Sequence, residues 1–507
     1  MSDNQSNNKR IAKNTIMLYL RMILIMVIRL YTSRVILDVL GVDDYGLYNV
    51  IGGMVVMFTF INNAMTDSTQ RFLTYEIGQN SNDRVAVVFR TSRYIHFFIA
   101  LLFFIILELF GYWFICSQMT IPKGREEACL WVMHLSVVTT ILKIINVPYN
   151  SMIIANERMN IFALLSISEA ILLLLILLVL EIAPGDKLII YGLLILIVQV
   201  IMQVCYNVYC QRAFVQTKLK PELNKALFKK MLSFAGWNVC GNMAQMFSTH
   251  GLNMLLNVFF SPAVNAARGI AVTVQGAVGQ FSGSFQSALN PQITKSYSSG
   301  NLDYLYKLIN SSSKYTFYLL LVVALPTMFE TPYLLSLWLK EVPMLSVVFL
   351  RLILITTIIE AVINPFNVAV AATGNIKKYQ IFNGLITISV LPLAAIAFEF
   401  GCGAEYAFLI QVFLSVMSFI ARFIIMKNSI NVDTNKYLKD VIFRCILVSI
   451  LSIITPIAIT HVLQPSMLRL IITTISSLVF TVLIIYTIGI TREERLFVSQ
   501  FIKNKIK

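Results

Sequence analysis

Predominantly apolar stretches of about 20 residues recur fourteen times along this 507-residue sequence, with short polar segments between them. A hydrocarbon layer about 30 Å thick is crossed by roughly 20 apolar residues of α-helix, and a lipid-exposed backbone must satisfy its own hydrogen bonds, as helices and closed barrels do. The stretches do not show the alternation that a membrane β-barrel requires. Since the chain is also 57% hydrophobic and 13% charged, we expect an all-α, polytopic membrane protein.

The fourteen predicted transmembrane helices form a first set of six, a second set of six and a final pair. The first set is Ile16–Leu37, Tyr48–Met65, Tyr94–Cys116, Cys129–Pro148, Ile161–Ile182 and Leu188–Cys210. The second set is Met231–Phe260, Ala263–Ala288, Tyr315–Leu339, Met344–Val370, Gln380–Phe400 and Ala404–Met426. The final pair is Val441–His461 and Met467–Ile488.

Positive charge falls mostly on one side of these spans. With the N-terminus inside, 29 of the 40 Lys and Arg residues, Arg422 among them, lie on the inner side. The outer loops hold Lys123, Arg125, Lys187 and Lys340. Because cations are retained on the cytoplasmic side of a membrane, both termini are predicted to be cytoplasmic. The net charge of +15 therefore reflects cations that line the cytoplasmic side of the membrane. It does not indicate binding of nucleic acid, and no nucleic-acid partner is expected.

A short motif recurs near the ends of the fourth and tenth spans. Pro148 and Asn150 match Pro365 and Asn367 at an offset of 217 residues, and a second pair of segments matches at an offset of 221. Two nearly equal offsets indicate duplication of a six-helix unit. An even number of helices gives both copies one orientation, so the halves are predicted to be related by a pseudo-two-fold axis along the membrane normal.

This repeat divides the chain into four predicted parts. Residues 1–211 form a first six-helix bundle, 212–230 a basic cytoplasmic linker and 231–430 a second six-helix bundle. Residues 431–507 form a C-terminal helix pair with a basic cytoplasmic tail, outside the repeat.

Four stretches carry a family resemblance. They are LYTSRVILDVLGVDDYGLYNV from Leu30, TQRFLTYEIG from Thr69, VPYN from Val147 and NPQITKSY from Asn290. They resemble the bacterial polysaccharide (O-antigen type) flippases of the multidrug/oligosaccharidyl-lipid/polysaccharide exporter superfamily, and the resemblance covers nearly the whole chain.

The resemblance implies two six-helix bundles around a central cavity, in the bacterial inner membrane, and no enzymatic activity. The implied substrate is an oligosaccharide on undecaprenyl diphosphate, turned from the cytoplasmic to the periplasmic leaflet for assembly of surface polysaccharide such as lipopolysaccharide O-antigen. Glycosyltransferases and a polysaccharide polymerase are the implied partners, besides the lipid bilayer. In the related lipid II flippases a final helix pair forms a groove for the lipid tail, which suits residues 441–488.

Besides Arg422 and Arg444, which are counted with the inner side, seven cations lie within the predicted spans: Arg21, Arg29, Arg34, Lys143, Arg268, Arg351 and Arg469. An unpaired charge in lipid is costly, so such residues face a cavity, a partner or the interface. Arg34 and Arg469 lie close enough to the outer surface to snorkel. We expect the substrate cavity to present four arginines, because a guanidinium donates two parallel hydrogen bonds to phosphate oxygens. These are Arg21, Arg29, Arg268 and Arg351, with snorkelling or internal pairing as the alternative for each.

Lys143 and Glu360 occupy equivalent positions at the repeat offset, five residues before each Pro-aromatic-Asn motif. We expect them to pair across the cytoplasmic gate when the cavity faces outward, with two independent snorkelling side chains as the alternative. The sequence leaves two energy sources open. The membrane potential supplies about 2.3 kcal/mol per charge per 100 mV, and proton or sodium coupling would require a carboxylate such as Glu169.

Two other functions stay open. An ion-coupled drug antiporter of the same fold would need an anionic cavity, for which Glu108, Glu169 and Glu360 are candidates. A polyprenyl-dependent membrane glycosyltransferase would use an acidic pair such as Asp43 and Asp44, although its usual long outer loop is lacking. No phosphate-cradling motif, nucleophile elbow or metal-ligand spacing is present, so no cofactor or metal is expected.

Overall fold

In the computed structural model the chain is almost entirely helical. The structure describes residues 2–56, 59–117, 119, 121–219, 224–260, 262–339, 342–430, 432–492 and 494–496. These residues contain seventeen α-helices and no strand, which confirms the all-α prediction. Eleven of the described helical segments are long and apolar enough to cross a membrane.

The helices are numbered in chain order. The first eight are α1 (Ser2–Val56), α2 (Thr59–Gly78), α3 (Asn82–Ser117), α4 (Glu126–Ala155), α5 (Met159–Ile182), α6 (Lys187–Ala213), α7 (Lys225–Phe259) and α8 (Pro262–Ser298). The others are α9 (Leu302–Phe329), α10 (Thr331–Trp338), α11 (Ser346–Thr373), α12 (Lys377–Ile388), α13 (Val390–Glu399), α14 (Glu405–Ile430), α15 (Thr434–Tyr437), α16 (Arg444–Val462) and α17 (Met467–Ile484). A 3₁₀ turn at Val215–Thr217 follows α6, and π-helical turns at Leu438–Phe443 and Ile485–Gly489 precede α16 and follow α17.

The chain divides into two compact units. The first comprises the residues up to Asn242 together with Thr294–Gly300, and the second comprises Met243–Ile293 together with the residues from Asn301 onward. Most of α8 therefore belongs to the second unit, and its last turn belongs to the first.

In the first unit, α1 bends at Gly41, whose φ of 75° lies in the left-handed region that favours glycine. The predicted span Tyr48–Met65 begins in α1 after this bend and ends in α2. The core of this unit lies between α3 and α4, where Leu107, Val132 and Met133 are fully buried.

In the second unit, the core lies between α9, α11 and α14. Leu320, Phe349 and Phe408 are buried there, and the rings of Phe349 and Phe408 lie 4.3 Å apart. The final pair, α16 and α17, packs against α9, so these two helices are part of this unit.

Two predicted spans are each broken once by proline. The span Tyr315–Leu339 is divided into α9 and α10, and Gln380–Phe400 is divided into α12 and α13. Pro332 and Pro392 follow these breaks, and a proline has no amide hydrogen to donate to the carbonyl four residues earlier. The carbonyl of Met328 is thereby left for another donor.

The helix boundaries repeat as the sequence motif does. The ends of α5 and α6 precede the ends of α13 and α14 by 217 residues. Glu157 after α4 and Gly374 after α11 both have positive φ, 59° and 82°, at the same offset. In the second match, Asn80 (φ 55°) corresponds to Gly300 (φ 74°). The turn residues thus correspond at an offset of 220, one residue less than the sequence match.

Candidate functional site

A cavity of about 160 Å³ lies among α7, α8, α11, α12, α13 and α14 of the second unit. Most of its lining is polar, although the helices that form it are apolar overall. Its polar lining residues are Gln245, Ser248, Thr249, Arg268, Gln275, Thr356, Thr357, Glu360, Thr387, Gln411, Ser415, Ser418 and Arg422. Polar groups at membrane depth are costly unless they face one another or a ligand, so this cavity is the candidate functional site.

Arg268 of α8 is held against α7. Its Nη1 donates to the side-chain oxygen of Asn253, and its Nη2 donates to the carbonyl of Thr249 at 3.1 Å. The side chain is buried, and its Nε has no hydrogen-bond partner among the described residues. The guanidinium is therefore fixed in place while it retains an unused donor.

Arg422 of α14 lies in the same cavity. Its Nη2 donates to the side-chain oxygen of Asn383 on α12, and its guanidinium lies 5.7 Å from the ring centre of Tyr379. Its Nε also has no hydrogen-bond partner within the described part of the chain. Sequence reasoning counted Arg422 with the cytoplasmic cations, although it lies inside the predicted span Ala404–Met426. That position within an apolar run was the signal that could have identified it.

Glu360 of α11 is the carboxylate of this cavity, and the charge of Arg422 acts on it. Nearby, the Gln275 side-chain amide donates to the Thr357 hydroxyl at 3.1 Å. The described lining carries two guanidinium groups against one carboxylate. Such an arrangement can bind an anion, because one positive charge is not neutralised and fixed donors await a hydrogen-bond acceptor.

A smaller group of polar side chains lies in the first unit. The guanidinium of Arg21 on α1 lies 4.3 Å from the ring centre of Phe162 on α5. The Tyr206 hydroxyl on α6 interacts with the Ser166 hydroxyl and with the charges of Glu169 and Arg21. Two of the predicted residues, Arg21 and Glu169, are thus neighbours of one tyrosine.

Other predicted residues are placed elsewhere. Arg351 is exposed outside the cavity, and its Nε donates to the Met328 carbonyl at 2.8 Å, the carbonyl left without a helical partner by Pro332. Lys143 is exposed on α4. The side chain of Arg29 lies outside the part of the chain that the structure describes.

The repeat motif has the same local structure in both units. Pro148 and Pro365 are buried inside α4 and α11, respectively. Asn150 and Asn367, two residues later, are half-buried, and each has a side-chain oxygen with no hydrogen-bond partner among the described residues.

Three further charged groups are occupied by partners. Glu108 forms a hydrogen bond with His134 Nδ1 at 2.6 Å. Arg125 Nε donates to Asp44 at 2.9 Å and also pairs with Asp186. Asp44 is therefore neutralised by a neighbouring cation, whereas a catalytic acidic pair would have to reach substrate. The side chain of Asp43 lies outside the described residues.

Arg469 differs from the sequence expectation. It is buried, and its Nη2 donates to Glu330 at 2.9 Å. The expected snorkelling side chain is instead half of a buried ion pair, since the carboxylate at the α9–α10 break lies beside the start of α17.

No protein-family model and no curated protein sequence matches this chain. Solved structures of MATE transporters do match. A MATE transporter in a straight conformation has a TM-score of 0.70 and 14% identity, over 84% of this chain and 96% of that one. An outward-facing multidrug resistance MATE transporter of the MOP superfamily has a TM-score of 0.69 and 14% identity over the same shares.

A third similar structure is a MOP superfamily transporter from Pyrococcus furiosus, with a TM-score of 0.67 and 14% identity, over 84% of this chain and 96% of that one. That protein is described as having a binding pocket of reverse polarity, which suggests a different function. From these matches, the chain has a MATE-like fold and is a multi-pass membrane protein.

Proposed function

We propose that this protein is a flippase that moves an oligosaccharide linked to undecaprenyl diphosphate from the cytoplasmic to the periplasmic leaflet by alternating access. The observation that carries the proposal is the charge of the second-unit cavity, in which Arg268 and Arg422 outnumber Glu360. A cation surplus at membrane depth favours an anionic headgroup. That the anion is a lipid-linked oligosaccharide is inferred from the family resemblance of the sequence.

The size and lining of the cavity fit this role. About 160 Å³ can hold a phosphate group or a few water molecules, at about 30 Å³ per water, but not an oligosaccharide. In this conformation, the diphosphate is therefore the part of the proposed substrate that the cavity would bind. Around it, Gln245, Gln275 and Gln411 supply amide donors and acceptors of the kind that sugar hydroxyls require.

The fold is compatible with an anionic substrate. The MOP superfamily transporter from Pyrococcus furiosus, which is similar in structure, is described as having a binding pocket of reverse polarity that suggests a different function. A cavity with surplus positive charge in the present chain is consistent with such divergence away from drug export.

An ion-coupled multidrug antiporter is the second candidate. It is favoured by the position of Glu360 inside the cavity and of Glu169 beside Tyr206 and Arg21, since carboxylates can bind cations or protons. A multidrug resistance MATE transporter is also among the similar structures.

Complementation of a strain lacking the gene separates the two functions. We expect Arg422→Gln to abolish surface polysaccharide at normal membrane abundance and to leave drug susceptibility unchanged. Glu360→Gln serves as the matched variant in the same cavity. If Arg422→Gln exports polysaccharide normally while Glu360→Gln sensitises cells to cationic drugs, the antiporter is the better assignment.

We also propose the bacterial inner membrane as the location, with both termini in the cytoplasm, on the distribution of Lys and Arg. Glycosyltransferases on the cytoplasmic side would supply the substrate, and a polysaccharide polymerase on the periplasmic side would consume it.

A further inference from the structure

The turn that ends α4 carries a glutamate at a position where glycine is usual. Glu157 has a φ of 59°, and its amide donates to the Ile154 carbonyl at 2.8 Å. The Arg158 amide donates to the Ile153 carbonyl at 3.1 Å. Hydrogen bonds of this pattern end a helix in the left-handed geometry that glycine adopts without steric cost, and the equivalent turn of the second unit has Gly374 (φ 82°). A side chain is therefore present at position 157 at a steric cost, which indicates a role for its carboxylate.

The carboxylate of Glu157 joins three helices of the first unit. It is 1% exposed, and it pairs with Arg10 Nε of α1 at 2.8 Å and with Lys295 Nζ of α8 at 2.5 Å. The backbone carbonyl of Glu157 accepts a hydrogen bond from the buried Asn14 side chain of α1 at 3.3 Å. Under the proposed orientation, these contacts lie on the cytoplasmic side. One residue at the end of α4 thus holds both the N-terminal part of α1 and the last turn of α8.

The last turn of α8 is attached to the first unit through α2 as well. Gln79, directly after α2, donates from its side-chain amide to the Ser298 carbonyl. Gly78, the last residue of α2, lies so close to α8 that a Cβ at this position would stand 3.0 Å from the backbone of Lys295. Thr294–Gly300 consequently belongs to the first unit, whereas the rest of α8 belongs to the second.

A proline lies in α8 just before this attached turn. Pro291 precedes Thr294 by three residues, and it has no amide hydrogen to donate to the Ser287 carbonyl four residues earlier. Sharp bends in helices occur at such prolines. The helix can therefore bend between the part that belongs to the second unit and the turn that Glu157 holds.

The ion pairs of Glu157 differ from a permanent structural pair in the exposure of their cations. The side chains of Arg10 and Lys295 are 46% and 19% exposed. In the pair of Glu330 with Arg469, the two side chains are 0% and 9% exposed. A partly exposed cation can exchange its carboxylate for water at a lower cost than a buried one. The pairs of Glu157 are therefore suited to being broken and formed again.

We propose that Glu157 is a releasable latch. In this conformation it holds the last turn of α8 and the N-terminal part of α1 at the end of α4, and it releases them when α8 bends at Pro291 in the other state of the cycle. The proposal rests on the alternating access of the proposed function, but not on the identity of the substrate. Its test therefore uses no substrate, and a failed transport assay would leave the result unchanged.

Hydrogen–deuterium exchange of the purified full-length protein measures the latch. In Glu157→Gln, the amides of residues 294–300 should exchange about tenfold faster or more, because the ion pairs no longer oppose local opening. Addition of Lys295→Gln to this variant should bring little further increase, since the two side chains act on each other. Pro291→Ala restores the missing amide and should slow the same exchange. Glu127→Gln, at an exposed carboxylate of the same unit, is the matched control and should leave the exchange unchanged.

Two comparisons separate a latch from a simple turn and from a permanent bond. Glu157→Gly suits the backbone of the turn but lacks the carboxylate, so it should exchange as fast as Glu157→Gln. The melting temperature should fall much less in Glu157→Gln than in Glu330→Gln, because the released cations regain water. Slow exchange in Glu157→Gly would overturn the proposal by assigning Glu157 to the turn, and equal melting temperatures would overturn it by assigning a permanent pair. Equal exchange in Glu157→Gln and Glu127→Gln, or faster exchange in Pro291→Ala, would also contradict the latch.

Discussion

Two sets of charges in the second unit differ in how completely they are paired. At the α9–α10 break, Glu330 is fully buried and accepts from Arg469 Nε and Nη2 at 3.2 and 2.9 Å and from the Thr473 hydroxyl at 2.9 Å. In the cavity, Arg268 and Arg422 each have an Nε without a hydrogen-bond partner among the described residues. Complete pairing serves to fix helices, and incomplete pairing leaves donors for a ligand.

The paired set holds the final helix pair to α9 at two levels. Besides Glu330 and Arg469, the buried Lys314 of α9 pairs with Glu494 at 2.6 Å, just beyond the end of α17. Because these pairs join α9 and α10 to the segment around α17, we expect the final helix pair to move with the second unit.

The largest effect should come from breaking the more deeply buried pair. Glu330→Gln leaves Arg469 buried beside a neutral side chain, and removal of one partner of a buried pair costs about 3–5 kcal/mol. The melting temperature of the detergent-purified protein should fall clearly, whereas Glu399→Gln, at an exposed carboxylate of the same unit, should leave it unchanged. Glu330→Leu/Arg469→Met should recover part of the loss, since apolar replacement of both partners avoids an unpaired charge. Equal stability of all variants would contradict the assigned role.

The cavity arginines should affect transport but not stability. Arg268→Gln and Arg422→Gln should each weaken substrate binding by about 1.5–3 kcal/mol, the usual contribution of a charge-assisted hydrogen bond. Lys at either position should restore only part of it, because it lacks the planar fork. Export in the complemented strain measures this, with Arg351→Gln as the control outside the cavity. The comparison fails if Arg351→Gln is as defective as the cavity variants.

The proposed gate pair should show a smaller and reciprocal effect. Lys143→Glu and Glu360→Lys should each reduce export, and the double exchange should restore part of it, because opposite charges would again occupy the two positions. Membrane abundance must be measured for all three variants. If the double variant is as defective in export as the worse single variant, the proposed pairing of Lys143 with Glu360 is wrong.

The smallest expected effect is a pH dependence from Glu494. Burial raises the pKa of this carboxyl group, but Lys314 and the hydrogen bonds from Thr491 outweigh it, so its pKa lies below the ordinary value of 4.5. The ionised group therefore stabilises the fold above pH 4.5, and the contribution is lost as the pH falls through the lower folded value. Between pH 7 and pH 3.5, the melting temperature should decline more in the unmodified protein than in Glu494→Gln. Parallel declines would contradict this.

Eleven of the described helical segments could be predicted from the sequence because each contains a long apolar run, which is a local property. The repeat also followed from local motifs, and the turn residues Glu157 and Gly374, at the same offset, both have positive φ. The breaks within two predicted spans could not be located from hydropathy alone, since an apolar run continues beyond Pro332 and the sequence is mostly apolar on both sides of Pro392.

The partners of the cations within the membrane could not be predicted from the sequence. Arg351, Arg422 and Arg469 look alike as single arginines in apolar helices. Their surroundings depend on contacts distant in sequence: the Met328 carbonyl, Asn383 of a neighbouring helix and the buried Glu330. An arginine side chain is long enough to reach any of several helices. Its depth in the membrane alone therefore does not identify the helix that it contacts.

The most direct measurement is translocation by the purified protein in proteoliposomes, with a fluorescent oligosaccharide on polyprenyl diphosphate as substrate and a fluorescent cationic drug in parallel. The unmodified protein and Arg351→Gln should translocate the diphosphate lipid, Arg268→Gln/Arg422→Gln should not, and none should transport the drug. Normal translocation by the double variant, or drug transport that depends on Glu360, would contradict an anion-binding cavity.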